Sequence, residues 1–277
     1  MMQPLTPKDA ALLDALATYR ILSIKQCVRL GLGERGHIGD RLRFLAGKGV
    51  GLVKILERAR MTGPNLHWLT ARGAKVVEEL AEDAGEPRKV GVRRIEYRLG
   101  PHLRQRELTV DCHIALRQWA ARNGARVDWV RAEYDPTETK LTKATALEWQ
   151  GVAYEADALA SLTTADGESW LLALEVETGG EAESLENFSK RLSARLDAIE
   201  RHVPELALGW PDNRRQARLL FVFKSAAMLE RAKRLTVRPE AAVWRRIHLK
   251  AVQDVVEDFG SPWWQVGGEA PFPPATA

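Results

Sequence analysis

Apolar residues recur at helical spacing three times within the first fifty positions. Leu12, Leu13, Leu16 and Ala17 share one face of a segment opened by Thr6-Pro7-Lys8-Asp9. There the threonine can cap, the proline suits the first helical position and the aspartate complements the helix N-terminus. This helix is expected to run to about Tyr19. Ser23-Ile24-Lys25-Gln26 has capping-box spacing for a short second helix ending near Leu30. A third is expected from about Glu34 to Ala46, with Ile38, Leu42 and Leu45 facing inward and Arg35, His37, Arg41 and Arg43 mostly elsewhere. Gly47 and Gly49 stop it. The pattern then turns to strands at about Val50–Leu56 and Leu66–Leu69, joined by the basic, turn-rich segment Glu57–Asn65. Thr70 caps a fourth helix through about Glu82.

Ala84–Pro101, rich in Gly, Pro and Arg, reads as a linker. Beyond it the pattern predicts a helix at about Leu103–Arg122, closed by Asn123-Gly124, and a strand at about Ala125–Glu133. A polar loop to Gly151 follows. Strands at about Val152–Thr163 and Trp170–Glu177 are joined by the turn Ala165-Asp166-Gly167. Next come an amphipathic helix from about Ser184 to His202, a strand at Ala217–Phe223, a helix from Ser225 to about Leu235 and a strand at about Val243–Lys250. The core order is αβββαβ. The expected organisation is a first domain over 1–83, a basic linker over 84–101, a second domain over 102–266 and a flexible tail over 267–277.

At 277 residues the chain has room for two domains. No run approaches the roughly 18 uncharged apolar residues of a membrane helix, and the first residues lack the apolar core of a signal peptide. Cys27 and Cys112 are far apart and read as reduced thiols of a cytoplasmic protein. The six histidines are too scattered for a zinc site. Charge is unevenly placed. Between Arg20 and Lys75 twelve lysines and arginines face three acids, Glu34, Asp40 and Glu57. A second basic run holds Arg88, Lys89, Arg93, Arg94, Arg98, Arg104 and Arg106. One end of the chain is therefore either built to meet a polyanion or is a solvated basic face.

Three short helices, a hairpin and a closing helix match a winged helix-turn-helix. His67-Trp68-Leu69-Thr70-Ala71-Arg72-Gly73 resembles the aromatic-Leu-Thr-x-x-Gly signature found at the second wing strand of many such DNA-binding proteins. On that reading the third helix enters the major groove with Arg35, His37, Arg41 and Arg43 toward DNA. Lys25 or Arg29 contacts phosphates, and Arg58 and Arg60 at the wing tip reach the minor groove or the backbone. Gly31-Leu32-Gly33-Glu34-Arg35-Gly36 spells G-x-G-x-x-G, but a helix rather than a strand precedes it, so these glycines shape a helix-helix turn and not a nucleotide site.

In the second half Asp157 lies in one strand of the hairpin, and Glu175 and Glu177, two apart, share a face of the other. Carboxylates gathered at a sheet edge can hold Mg²⁺ for phosphodiester chemistry, or can be a solvated face beside a turn. The αβββαβ order with these acids resembles the PD-(D/E)XK nuclease superfamily, a restriction-endonuclease-like core. The chain departs from it where Glu177 stands in place of the lysine and Ala156 in place of the proline. The resemblance implies Asp157 and Glu175 as metal ligands and Glu177 near them. Lys190 on the following helix would be a substitute lysine, and Glu107 an additional acid. The two halves together, over about residues 5–235, resemble the replication-relaxation family. The carrying stretches are His102 with its helix, Glu155-Ala156-Asp157-Ala158-Leu159, Leu174-Glu175-Val176-Glu177-Thr178-Gly179 and Leu185–Leu192.

That resemblance implies a double-stranded DNA-binding protein of a plasmid or other mobile element. It would act in replication, mobilisation or their regulation, with a degenerate nuclease-like domain, a homodimer or a replication or mobilisation protein as partner, and no membrane. Two other functions stay open on the sequence: a Mg²⁺-dependent DNA endonuclease using Asp157, Glu175, Glu177 and Lys190, and a winged-helix transcriptional repressor. Trp263 and Trp264 are expected to anchor packing rather than stack on bases.

Overall fold

The computed structural model describes residues 5–57, 63–91, 102–135, 144–149, 152–179, 184, 186–194, 216–235, 247–265 and 268–270. They fall in two compact units, Met1–Leu99 and Gly100–Ala277.

Unit 1 begins with helix α1 (Pro7–Tyr19), the two-residue strand β1 (Leu22–Ser23), α2 (Ile24–Arg29) and α3 (Arg35–Ala46). Strands β2 (Val53–Leu56) and β3 (Leu66–Leu69) and helix α4 (Ala71–Asp83) follow. The expected capping boxes are formed. The Thr6 hydroxyl accepts from the Asp9 amide and Asp9 reaches back to the Thr6 amide, and Ser23 and Gln26 do the same. Gly31 and Gly33, both at positive φ, carry the chain from α2 into α3. The helical pattern gave no sign of β1, which is too short to alternate. It pairs with β3, Leu22 opposite His67, so the antiparallel sheet has the order β1-β3-β2. Leu12, Leu13, Leu16, Leu22, Ile38, Leu42, Leu45 and Leu52 are fully buried and form the core of this unit.

The Thr70-x-x-Gly73 spacing has a mechanical cause. Thr70 caps α4 by accepting from the Gly73 amide at 3.0 Å and donates its hydroxyl to the Gly51 carbonyl at 2.8 Å. The first turn of α4 is thereby held so close to Leu52 that a Cβ on Gly73 would lie 2.1 Å from the Leu52 carbonyl oxygen. Residues 84–91, read from composition as linker, are held to unit 1. Val90 is buried and its amide donates to Glu78, Arg88 pairs with Asp14, and Arg20 donates to the Gly91 carbonyl.

Unit 2 opens with α5 (His102–Arg122) and β4 (Arg126–Ala132), followed by a small antiparallel pair, β5 (Ala146–Trp149) and β6 (Val152–Glu155). Strands β7 (Ala158–Thr163) and β8 (Ser169–Glu177) come next, then a helix through residues 186–194 (α6) and β9 (Gln216–Phe223). The unit closes with α7 (Ala226–Leu235), β10 (Ile247–Ala251), α8 (Val252–Glu257), β11 (Trp263–Gln265) and β12 (Gly268–Ala270). The fold is mixed α+β. Its seven-stranded sheet has the order β12-β11-β10-β9-β8-β7-β4, with β4, β7 and β8 antiparallel and β8, β9 and β10 parallel.

The two faces of the sheet carry separate cores. Leu108, Cys112, Leu116 and Trp119 of α5, with Val255 and Phe259 around α8, cover Leu172, Leu174, Val176, Leu220 and Val222. Phe188 and Leu192 of α6 and Leu229 and Ala232 of α7 cover Leu171, Ala173, Leu219, Phe221 and Phe223. Three expectations change. The strand predicted over 152–163 breaks at Ala156-Asp157, and its first part pairs with β5, where a polar loop was expected. Gly268–Ala270, predicted as loose tail, pairs with β11. Trp263 is fully buried against Phe259, edge to face at 5.4 Å, as a packing anchor. On the α8 side the buried Lys250 ammonium donates to the carbonyls of Asp258 and Ser261 and to the Ser261 hydroxyl, tying β10 to the turn before β11.

Gly73→Ala is expected to lower the unfolding midpoint of the chain, by overpacking worth about 1–3 kcal/mol, because the obstacle is backbone and cannot swing aside. A thermal melt followed by circular dichroism checks it; an unchanged midpoint would refute the close approach.

Candidate functional site

The first candidate is the outer surface of α2 and α3. Ile38, Leu42 and Leu45 fix the inward face of α3, which leaves Arg35, His37, Asp40 and Arg43 exposed on the outside, with Lys25 exposed on α2 and Arg29 half-buried. Arg43 pairs with Asp40 one turn earlier, at 2.5 Å. Arg58 and Arg60 lie outside the described residues.

Arg41, expected to face DNA, points the other way. It lies one turn after Ile38 and one before Leu45, on the flank of the buried stripe, and reaches across to α1. Its Nε donates to Asp9 Oδ1 at 2.8 Å and its Nη2 to Asp9 Oδ2 at 2.5 Å, a two-pronged contact that matches guanidinium to carboxylate. The guanidinium also lies over the Phe44 ring, 4.4 Å from its centre. Asp9 has no exposed surface. Burial pushes its carboxyl upward, but hydrogen bonds from Arg41 and Thr6 outweigh this and hold it below the ordinary range. Arg41 therefore clamps α3 to α1.

The second candidate is the carboxyl end of β8. Odd-numbered residues of β8 face α6 and α7, so Glu175 and Glu177 lie on that face, each only 2% exposed. Asp157 sits one step beyond the last rung, Ala158 opposite Leu174, and is therefore across from Glu175. The three acids do share a sheet end, as the spacing predicted, but each is engaged. Asp157 accepts the Gln105 side-chain amide at 2.6 Å on Oδ1 and the Val176 backbone amide at 2.7 Å on Oδ2. Glu177 accepts from Arg191 of α6 at 2.6 Å. Glu107, buried on α5, pairs with Arg104 at 3.0 Å. Glu175 is engaged as well. Lys190 is 72% exposed and pairs along the helix surface with Glu186.

Arg191 and Gln105 are the partners that the sequence reading missed. Neighbouring positions on a helix point about 100° apart. With Phe188 and Leu192 facing the core, residue 191 lies on the flank nearest the sheet and residue 190 does not. The Phe188–Leu192 spacing was the available signal.

Mg²⁺ needs several oxygens turned toward one point. Among the described residues no group of three His, Cys, Asp or Glu side chains converges in a way that could hold an ion. Both oxygens of Asp157 already accept hydrogen bonds, and the guanidinium at Glu177 neutralises that carboxylate. The described residues therefore do not present the converged oxygens that the metal implied by the nuclease resemblance would need. What the arrangement does instead is join α5 and α6 to the end of the sheet through buried charge and amide contacts.

No family model matches the chain, and no curated protein matches it. Among solved structures it is similar to the restriction endonuclease FokI, both in a structure of that enzyme and in one of it bound to DNA. Identity is 14% in each, with TM-scores of 0.26 and 0.25. The match covers 92% of this chain and 45% of FokI, so the chain spans less than half the length of that protein. No described helix is long and apolar enough to cross a membrane.

Arg41→Ala strands a buried carboxylate and is expected to destabilise the chain by about 3 kcal/mol, read from urea unfolding. Asp9 has a depressed folded pKa, so the clamp is fully in place above the unfolded value near ~4 and is lost as pH falls through the folded one. The gap between wild type and variant should therefore close on acidification below about pH 4; a gap independent of pH would remove Asp9 from the account. At the second site, millimolar Mg²⁺ is expected to leave the unfolding midpoint unchanged. A rise that Asp157→Asn abolishes would restore the metal reading.

Proposed function

We propose that this chain is a double-stranded DNA-binding protein whose first unit is a winged helix-turn-helix, with α3 as the helix that enters the major groove. The observation that carries the reading is the two-sidedness of α3. One face is locked into the core by Ile38, Leu42, Leu45 and the Arg41 clamp, and away from it Arg35, His37 and Arg43 are exposed, with Asp40 between them. The element order α1-β1-α2-α3-β2-β3 with strands ordered β1-β3-β2 supports it, because this places α3 and the β2–β3 hairpin in sequence around one core. Lys25 and Arg29 then serve as phosphate contacts and Arg58 and Arg60 as wing contacts, in line with the basic surplus of this stretch.

The second unit, in this reading, is a restriction-endonuclease-like domain used for recognition or assembly. Counted over the strands of the main sheet, with the β5–β6 pair as an insertion, its helix–three-strand–helix–strand order and its antiparallel-then-parallel sheet support the fold. The partners already held by Asp157 and Glu177 support a loss of cleavage chemistry. On the sequence resemblance to the replication-relaxation family, we read the role of such a protein as replication, mobilisation or their regulation on a plasmid or other mobile element. A homodimer would suit a twofold DNA site.

Fluorescence anisotropy with a labelled duplex tests the reading. Binding is expected to weaken with salt by a log–log slope of about −0.9 per phosphate contacted. The Arg35→Ala/Arg43→Ala pair is expected to weaken binding at an unchanged melting midpoint, in contrast to Arg41→Ala. Supercoiled plasmid should be retarded and stay intact with Mg²⁺ as with EDTA. Wild-type affinity in the double variant would dismiss α3 as the DNA surface, and metal-dependent nicking lost in Glu175→Ala would make the chain an endonuclease.

A further inference from the structure

The outer stripe of α3 runs Gly36, Asp40, Arg43, spaced four and three residues apart and so aligned along one side of the helix. Gly36 lies in the first turn of the helix, is exposed, and has nothing within 4 Å of where a Cβ would stand. Glycine weakens a helix relative to alanine, and here no packing contact and no positive φ calls for it. Asp40 puts a negative charge in the middle of the basic face. Its carboxylate holds Arg43 Nη2 at 2.5 Å, while Arg43 Nε lies 3.4 Å from the Gly39 carbonyl. The two side chains are 73% and 68% exposed, so the pair is not buried by any neighbour.

An exposed ion pair adds little to stability, because water screens it. What this one does is orient a guanidinium. With Nη2 held by Asp40 and Nε near the Gly39 carbonyl, the donors those two contacts leave over, Nη1 and the second Nη2 hydrogen, make a two-pronged fork. Guanine offers the matching pair of acceptors, O6 and N7, in the major groove. Fixing the fork before binding reduces the side-chain freedom lost on contact. The carboxylate also repels phosphate, so it opposes seating of the same helix on a backbone in any register. The bare surface at Gly36 lets the start of the helix approach the duplex without a side chain between.

We propose that Arg43 reads a guanine through this fork, that Asp40 is the positioning residue that makes the reading selective, and that Gly36 is kept side-chain-free for close approach. This rests on α3 being the groove-binding helix. It adds the base class recognised and assigns Asp40 and Gly36 a part in recognition.

The experiment is selection of bound duplexes from a randomised pool by the full chain, followed by anisotropy on the selected duplex and its single-base changes. Wild type should require a guanine at one position. Arg43→Ala should erase that requirement and bind the selected duplex more weakly by a factor between about five and a hundred. Asp40→Ala should keep or raise affinity for the unselected pool while flattening discrimination at the same position, and Asp40→Asn, which retains an accepting oxygen, should restore part of it. Gly36→Ala should raise the unfolding midpoint and still weaken binding, a split that a purely structural glycine would not produce. Discrimination unaltered in Asp40→Ala, or altered at a different base pair from the one lost in Arg43→Ala, would overturn the proposal while leaving DNA binding by α3 standing. No duplex retained by wild type would overturn both.

Discussion

A strand covered on both faces offers water no side, and that constraint organises the second unit. Every residue of β8 from Trp170 to Glu177 is buried. It pairs antiparallel with β7 on one edge and parallel with β9 on the other. Such a strand can be apolar throughout, and for most of its length this one is. At its carboxyl end it carries two glutamates, and a carboxylate taken out of water has to be compensated nearby. Arg191 meets Glu177, and Asp157 across the rung is met by Gln105 and the backbone of Val176. Helices α5 and α6 thus approach the sheet end for an electrostatic reason in addition to their apolar faces.

The first unit follows the same rule with one ion pair. Asp9 caps α1 through Thr6 and also receives Arg41, so a single buried carboxylate serves a helix terminus and an interhelical clamp. The arrangement sorts the arginines of α3 by their angle about the axis. One is spent inside, and the others stay available to solvent or ligand.

Much of this was legible in the chain because local physics decided it. The capping boxes at Thr6 and Ser23, the glycine turn before α3, the cap at Thr70 and the order of helices and strands all follow from neighbours three or four residues apart. The acids at 157, 175 and 177 were correctly brought to one sheet end, since alternation and the hairpin turn fix that register. What stayed hidden depended on distant partners. Nothing near Arg41 announces Asp9, thirty-two residues away. Lys190 and Arg191 are equivalent in composition, and only the angle set by Phe188 and Leu192 separates them. Strands β1, β11 and β12 are two or three residues long, too short to show alternation, and exist because a partner strand is already there.

The position of β8 also bears on how the chain is made. Its antiparallel partner β7 precedes it by a tight turn, but β9 does not begin until Gln216, thirty-nine residues after Glu177. At roughly 5–20 residues per second, a ribosome takes about 2–8 s to supply that second neighbour. For that interval β8 has an open hydrogen-bonding edge. The nascent chain therefore passes through a stage at which it is prone to pair with other chains, and binding by a chaperone during synthesis would matter most between the emergence of β8 and that of β9.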